Sequence, residues 1–191
     1  IELISTMLEE AGYTTALSST LRFKIGNESE NNTYKMTLPG RFFLQKFLRR
    51  AVTARCQYAI VELTSEGARQ FRHKFVALDA LVFTNITPEH IESHGSFENY
   101  LDAKLSIARA LAHSSKKRKV VVANADDAQG EKFLNVGVSE KYPYSLHEAK
   151  PYSVKKEGVE LTIDGTHMTS KLSGEFNIYN ILAAATLSKS Q

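Results

Sequence analysis

The chain has 191 residues, 42% hydrophobic and 24% charged, a composition that suits a folded globular protein and excludes intrinsic disorder. Its 24 Lys and Arg stand against 21 Asp and Glu, and a net charge of +3 is too small to imply a nucleic-acid partner; the basic run 116–119 reads as a solvated turn. One cysteine, Cys56, excludes an internal disulfide framework and a cysteine-based zinc cluster, and apolar runs of about half a dozen residues cannot span a bilayer.

The first predicted element is a helix over 1–11, because apolar positions 1, 4, 7, 8 and 11 recur at helical spacing and Gly12 supplies a stop. Glu2, Glu9 and Glu10 interrupt any signal-peptide pattern there. No N-cap precedes this helix, and a second helical pattern runs to within a few residues of Gln191, so both ends read as cut from a longer polypeptide. Thr14 to Lys24 is rich in β-formers and predicts one strand, or two joined at 18–20. Gly26 to Asn32 carries polar turn chemistry, and the apolar residues Phe42, Phe43, Leu44, Phe47, Leu48 and Val52 predict a helix over 41–53. Tyr58 to Leu63 predicts a parallel strand buried on both faces, followed by a short helix over 67–73. A second buried strand is expected over 80–86, a helix capped by Ser96 over 97–113, and a third strand over 119–125. Pro151 to Leu172 breaks the pattern and reads as short antiparallel strands with turns at Glu157-Gly158 and Asp164-Gly165. The last predicted helix covers 176–187.

Strands alternating with helices of this size predict an α/β fold, a three-layer αβα arrangement around a mostly parallel sheet. Residues 1–191 are expected to form one domain, with 151–172 a small antiparallel β appendage within it.

In open parallel sheets, ligands bind beyond the carboxyl ends of the strands. Those ends are Glu62 to Ser65, Thr84 to Thr87 and Asn124 to Asp127, each an apolar strand turning abruptly polar. A carboxylate at the end of a buried strand, as Glu62 is, must be paired or bind a cation, since burying it bare is costly. Lys104 is the one polar residue on the stripe 97, 101, 104, 105, 108 and 111. Such a lysine either snorkels to solvent or, desolvated, reacts as a neutral amine. His90 and His94 are spaced i, i+4, which can hold a metal but lacks a strong third ligand, and Glu89 and Glu92 make a hard cation equally possible. No Gly-x-x-x-x-Gly-Lys-Ser/Thr phosphate loop occurs in the 191 residues.

These stretches together resemble the central domain of the Mur ligases, most closely the MurE type. Val61-Glu62-Leu63-Thr64-Ser65-Glu66-Gly67 through Gln70-Phe71-Arg72 is similar to the family's Glu-Val-Ser-Ser-His-Gly…Gln-x-Arg. Thr84-Asn85-Ile86-Thr87-Pro88-Glu89-His90-Ile91-Glu92-Ser93-His94-Gly95 is similar to Thr-Asn-Leu-x-x-Asp-His-Leu-Asp-x-His-Gly. Tyr100 to Lys104, Asn124 to Asp127 and Gly174 to Ala184 continue the series in order. The resemblance implies a P-loop-like domain whose first strand and phosphate loop would lie just ahead of Ile1, with an amino-acid-binding domain after Gln191. It implies an ATP-dependent, cytoplasmic, monomeric ligase that phosphorylates a carboxylate of a UDP-N-acetylmuramoyl-peptide and joins an amino acid to it, with no nucleic-acid or membrane partner.

Carried over position by position, Glu62 and His90 would hold magnesium ions. Lys104 would be carbamylated and would support the metal through its carbamate. Thr37, Ser65, Gln70 and Arg72 would meet the muramoyl substrate, and Asn85, Asn177 and Asn180 the nucleotide. Three positions depart from the pattern: Leu38 replaces a Thr, Glu66 a His and Glu89 an Asp. Without its phosphate loop the chain alone is expected to show no ligase turnover and very weak ATP binding. A folylpolyglutamate- or cyanophycin-type ligase, or a Mur-like fold kept as a non-catalytic binding module, are the alternatives.

Overall fold

The computed structural model describes residues 1–88 and 91–191. Helix α1 (Glu2–Glu10) leads into β1 (Thr15–Ser18), β2 (Arg22–Ile25) and β3 (Glu28–Asn31), and then α2 (Arg41–Thr53) and β4 (Tyr58–Val61). Helix α3 (Ser65–Arg69) follows, then β5 (Ala80–Phe83), the single turn α4 (Ile91–His94), α5 (Phe97–Ala112) and β6 (Val120–Asn124). The chain ends with α6 (Gly130–Leu134), β7 (Glu140–Tyr144), the meander β8 (Tyr152–Lys155), β9 (Gly158–Ile163) and β10 (Thr166–Ser170), and α7 (Phe176–Lys189).

Strand β6 is the centre of the fold. It lies between β5 and β7, parallel to both, and every residue of Val120–Asn124 is buried. Alternation of side chains along a strand then sorts its residues onto two faces. Val120 and Val122 join a core built with α1 and α7, while Val121 and Ala123 join one built with α5 and Phe133 of α6. This is the three-layer arrangement. A second sheet, ordered β3-β2-β1-β4, pairs β1 with β4 in parallel, β1 with β2 antiparallel and β2 with β3 antiparallel. Tyr58 and Ile60 of β4 and Ala80 and Val82 of β5 pack against the same cluster, so both sheets share the α1/α7 layer. Helix α7 is apolar around most of its circumference because it also faces Val159, Leu161 and Ile163 of the antiparallel meander.

Several local readings need correction. Strand β4 is half-buried rather than buried on both faces, since β1 is its only partner among the described residues. The polar stretch 26–32 is not all turn: Glu28–Asn31 pairs along β2 as an exposed edge, held by the ladder rather than by propensity. Helix α3 starts two residues early and stops at Arg69, and the turns that follow carry Phe71 and Phe75 at φ 53° and 68°. Strand β7 was not expected because Pro143 interrupts it; proline is tolerated there because β7 lies at the edge of its sheet. The first meander turn centres on Lys156-Glu157, one residue earlier than read, with Gly158 opening β9 at φ 149°. A Cβ at Gly158 would sit 1.9 Å from the Ser170 carbonyl oxygen, so only glycine fits.

Candidate functional site

Strand β4 pairs with β1 from Thr15↔Tyr58 to Ser18↔Val61, and this register brings the β1–β2 turn beside Glu62. The Thr20 backbone N–H donates to Glu62 Oε2 at 2.9 Å, and its hydroxyl donates to Oε1 at 3.1 Å. The Thr37 hydroxyl completes the chain by donating to Thr20 Oγ1 at 2.9 Å. Glu62 is therefore paired, as a half-buried carboxylate must be.

Arg72 closes the other side. Its Nε donates to Gln70 Oε1 at 2.9 Å and Nη2 reaches the same oxygen, while Nη1 donates to the Leu38 carbonyl and lies 3.5 Å from Met36 Sδ. One guanidinium thus ties the loop after α3 to the segment carrying Thr37. Leu38 itself is 1% exposed and packs beneath with Leu44 and Phe47, so the departure from threonine faces the core and not the surface. Glu66, the second departure, accepts from Arg69 and from Gln70 Nε2 at 2.6 Å; the hydrogen bond from Arg69 holds its carboxyl below the usual range.

Thr64 caps α3 by accepting from the Gly67 N–H at 3.1 Å, which aims Ser65 inward. Ser65 Oγ meets His94 Nε2 at 3.1 Å, both residues buried, and Arg69 Nη1 donates to the Ser93 carbonyl at 2.6 Å. The segments following β4 and β5 are joined here, so the carboxyl ends of both strands open to one side. The His94 ring lies 5.2 Å from Tyr100, and Lys104 Nζ lies 5.4 Å from the same tyrosine ring. Lys104 is half-buried at the edge of a helix face whose Leu101, Ala108 and Leu111 are core. His90 lies outside the described residues, and with it the i, i+4 histidine pair; among the described residues no group of three metal-ligating side chains occurs.

A second cluster lies at the ends of β5–β7. Asn124 Nδ2 donates to the Thr84 carbonyl at 2.9 Å, and Asp127 Oδ2 accepts from the Ile86 N–H at 2.9 Å. Asp126 Oδ2 accepts from the Leu146 N–H at 2.8 Å and from the Tyr179 hydroxyl at 3.1 Å. Burial and then this hydrogen bond push the Tyr179 phenol up to about 12. Tyr179 anchors the start of α7, where Asn177 Nδ2 donates to the Ser173 carbonyl at 2.8 Å and Asn180 Nδ2 to Asn177 Oδ1 at 3.1 Å. Asn85 stands exposed at the end of β5.

The structure thus groups Thr37 with Glu62, Gln70 with Arg72, Ser65 with His94 above Lys104, and Asn177 with Asn180. Two connecting residues were not singled out, Thr20 and Tyr179, and His94, singled out for its spacing from His90, was not expected to meet Ser65. Thr20 sits in an ordinary turn, and only the parallel pairing of β1 with β4 brings it to Glu62, 42 residues on.

Comparisons with known proteins agree on one relationship. The family model described as the Mur ligase middle domain matches residues 1–188. The UDP-N-acetylmuramyl-tripeptide synthetase of Roseiflexus sp. (strain RS-1) is 34% identical over 206 residues, covering 97% of this chain and 40% of that protein. A solved structure of a UDP-N-acetylmuramoyl-L-alanyl-D-glutamate--2,6-diaminopimelate ligase superposes with a TM-score of 0.80 at 22% identity, covering 99% of this chain and 40% of that one. A bifunctional folylpolyglutamate synthase/dihydrofolate synthase, solved with Mn, AMPPNP and L-glutamate bound, shares the fold at a TM-score of 0.60 and 16% identity, over 99% of this chain and 50% of its own. The chain spans about two fifths of the muramyl-tripeptide synthetase it matches. No helix among the described residues is long and apolar enough to cross a membrane.

Proposed function

We propose a function from one established premise: the chain belongs to the Mur ligase family and corresponds to its middle domain. The protein carrying it is proposed to be a cytoplasmic, monomeric, ATP-dependent ligase that adds an amino acid to a UDP-N-acetylmuramoyl-peptide in peptidoglycan synthesis. In that reaction ATP phosphorylates a substrate carboxylate; the amine then attacks the acyl carbon, expels inorganic phosphate and leaves an amide. The observation that carries this reading is the hydrogen-bonded run Glu62–Thr20–Thr37 beside the Arg72 clamp, which gathers acceptors, hydroxyls and a guanidinium at the strand ends.

On this reading Arg72 and Gln70 orient the muramoyl-peptide, and Thr37 and Ser65 offer hydroxyls to it. Arg72 retains an N–H beyond those it spends on Gln70 and Leu38, which suits an anionic group. Asn85, Asn177 and Asn180 would meet the nucleotide. Magnesium is a hard cation that takes oxygen ligands and offsets phosphate charge. Glu62 fits it, since a carboxylate has roughly four lone-pair directions and Thr20 uses two. His90 and a carbamylated Lys104 would complete the support; carbamylation joins the neutral amine to carbon dioxide with loss of a proton. The 191 residues contain no phosphate-loop motif, so the isolated chain is proposed to bind ATP weakly and not turn over.

Titrating UDP-N-acetylmuramoyl-dipeptide into the isotopically labelled chain tests the substrate half. Shifts should cluster at Thr37, Ser65, Gln70 and Arg72; shifts elsewhere, or the same shifts with a folate monoglutamate and none with the dipeptide, would overturn it.

A further inference from the structure

The loop that supplies Gln70 and Arg72 to the candidate site presents alternate residues to its other side. Phe71 and Phe75 both lie in the left-handed region, at φ 53° and 68°, where a bulky side chain is a genuine outlier. Neither ring is buried in compensation, at 51% and 82% exposed. With the last turns of α5 they border an open groove of about 580 Å³, lined also by His73, Lys74, Arg109 and His113. That volume is within the range of small-ligand sites.

Three properties of the lining specify an occupant. His73 is only 5% exposed, yet its Nδ1 has no hydrogen-bond partner, a cost that native structures seldom leave unmet. Burial pushes its imidazole pKa down, keeping the ring neutral, so it adds no charge to the lining. The charged lining residues are cationic, Lys74 and Arg109, and no carboxylate lines the groove. Arg109 is paired outward with Asp102, while Lys74 Nζ sits 4.5 Å from the centre of the Phe71 ring, holding a positive charge at the aromatic rim. Finally, His113 Nδ1 donates to the Arg109 carbonyl at 2.8 Å, closing the helix end, and Val76, Ala77 and Ala110 line the groove together with Ser106, Ser114 and Ser115.

We infer that this groove binds a small organic anion with a flat aromatic body, the ring against Phe71 and Phe75 and the anionic group toward Lys74. Strain at two exposed aromatic residues is retained where their rings serve a ligand.

The test uses the full chain and the aryl sulfonate 8-anilinonaphthalene-1-sulfonate, followed by fluorescence. Binding should be saturable at one per chain, and should weaken at least about tenfold in Phe75→Gly and in Lys74→Met. Phe42→Ala, which removes another exposed ring on α2, should leave it unchanged. N-phenyl-1-naphthylamine, the same body without the sulfonate, should bind at least about tenfold more weakly. Phe75→Gly should melt at or above the parent temperature, because glycine accepts φ 68° without strain. Equal binding by Phe75→Gly and Lys74→Met, or by the uncharged amine, would overturn the inference. So would a lower melting temperature for Phe75→Gly, which would make that ring a packing element.

Discussion

Replacing Arg72 by lysine keeps the charge and removes the fork, and so separates two roles that one guanidinium performs. In the parent, Nε and Nη2 both reach Gln70 Oε1 and Nη1 reaches the Leu38 carbonyl. An ammonium at the end of a flexible stem can satisfy one of these acceptors at a time. The Leu38 bond is partly buried and its donor is charged, so its loss is worth about 1.5 kcal/mol; the exposed Gln70 pair adds about 0.5 kcal/mol. Loss of both totals about 2 kcal/mol, a fall in Tm of about 4–8 °C for a chain of this size, and Arg72→Lys, keeping one acceptor, should lose about 0.5–1.5 kcal/mol of it. The segment carrying Thr37 would then lose its tie to the loop after α3, and affinity for UDP-N-acetylmuramoyl-dipeptide should drop about tenfold, or about 1.4 kcal/mol. Thermal melts and calorimetric titration of Arg72→Lys and Arg72→Gln read the two effects. If Arg72→Lys matches the parent in both while Arg72→Gln fails in both, charge alone matters and the argument from the fork is wrong.

Three further outcomes follow from the same geometry. Glu62→Gln keeps one acceptor for Thr20 and discards the charge, so the fold should lose only about 1–2 kcal/mol. Binding of Mn2+ as a magnesium surrogate, followed by paramagnetic resonance, should fall at least about tenfold, and unchanged affinity would remove Glu62 from the metal role. Acid should destabilise the α1 contact with the sheet. Hydrogen bonding from Arg22 holds Glu2 below its usual pKa, and Glu9, which burial pushes the other way, is held low by Lys24 and Thr15. Both groups contribute stability that is full above the unfolded value of 4.5 and is lost as pH falls through and below it. Melts between pH 7 and 3 should show this loss, and a Glu2→Gln/Glu9→Gln variant should show less of it. Gly158→Ala forces a methyl against the Ser170 carbonyl and a strained φ, and should cost about 3 kcal/mol or more in a denaturant melt. A neutral result there would mean that β9 and β10 separate freely at that end.

What could be read from the sequence, and what could not, divides along a physical line. Helices α2 and α5 were legible from their apolar periodicity and α7 and strand β6 from their continuous apolar runs, and Ser96 caps α5 as its type and position predict. Strand β3 was hidden because Glu28–Asn31 has no strand preference of its own; the ladder of β2 imposes the conformation. Glu62 was legible as a carboxylate requiring partners, yet the partner, Thr20, comes from the far end of a parallel pairing that no local pattern encodes. Lys104 stands out on its apolar stripe, and its place beside Tyr100 is the i, i+4 neighbour relation within α5, legible once the helix is.

Phe71 and Phe75 are the sharpest case. The helix expected over 67–73 would carry Phe71 and Arg72 within it. Instead α3 stops at Arg69 with Gln70 as its C-cap, and Phe71 takes the left-handed position that follows, where glycine is the usual occupant. Continuing the helix would swing Arg72 by about 100° per residue away from the Leu38 carbonyl. The early stop and the Arg72 clamp are therefore one decision: the backbone turns to place a guanidinium in the candidate site, and the same turn leaves two phenylalanine rings exposed over the groove behind it. A substitution that relaxes the turn, such as Phe71→Gly, should for that reason preserve the Arg72–Leu38 bond, because it removes the strain of φ 53° and not the geometry that the clamp requires.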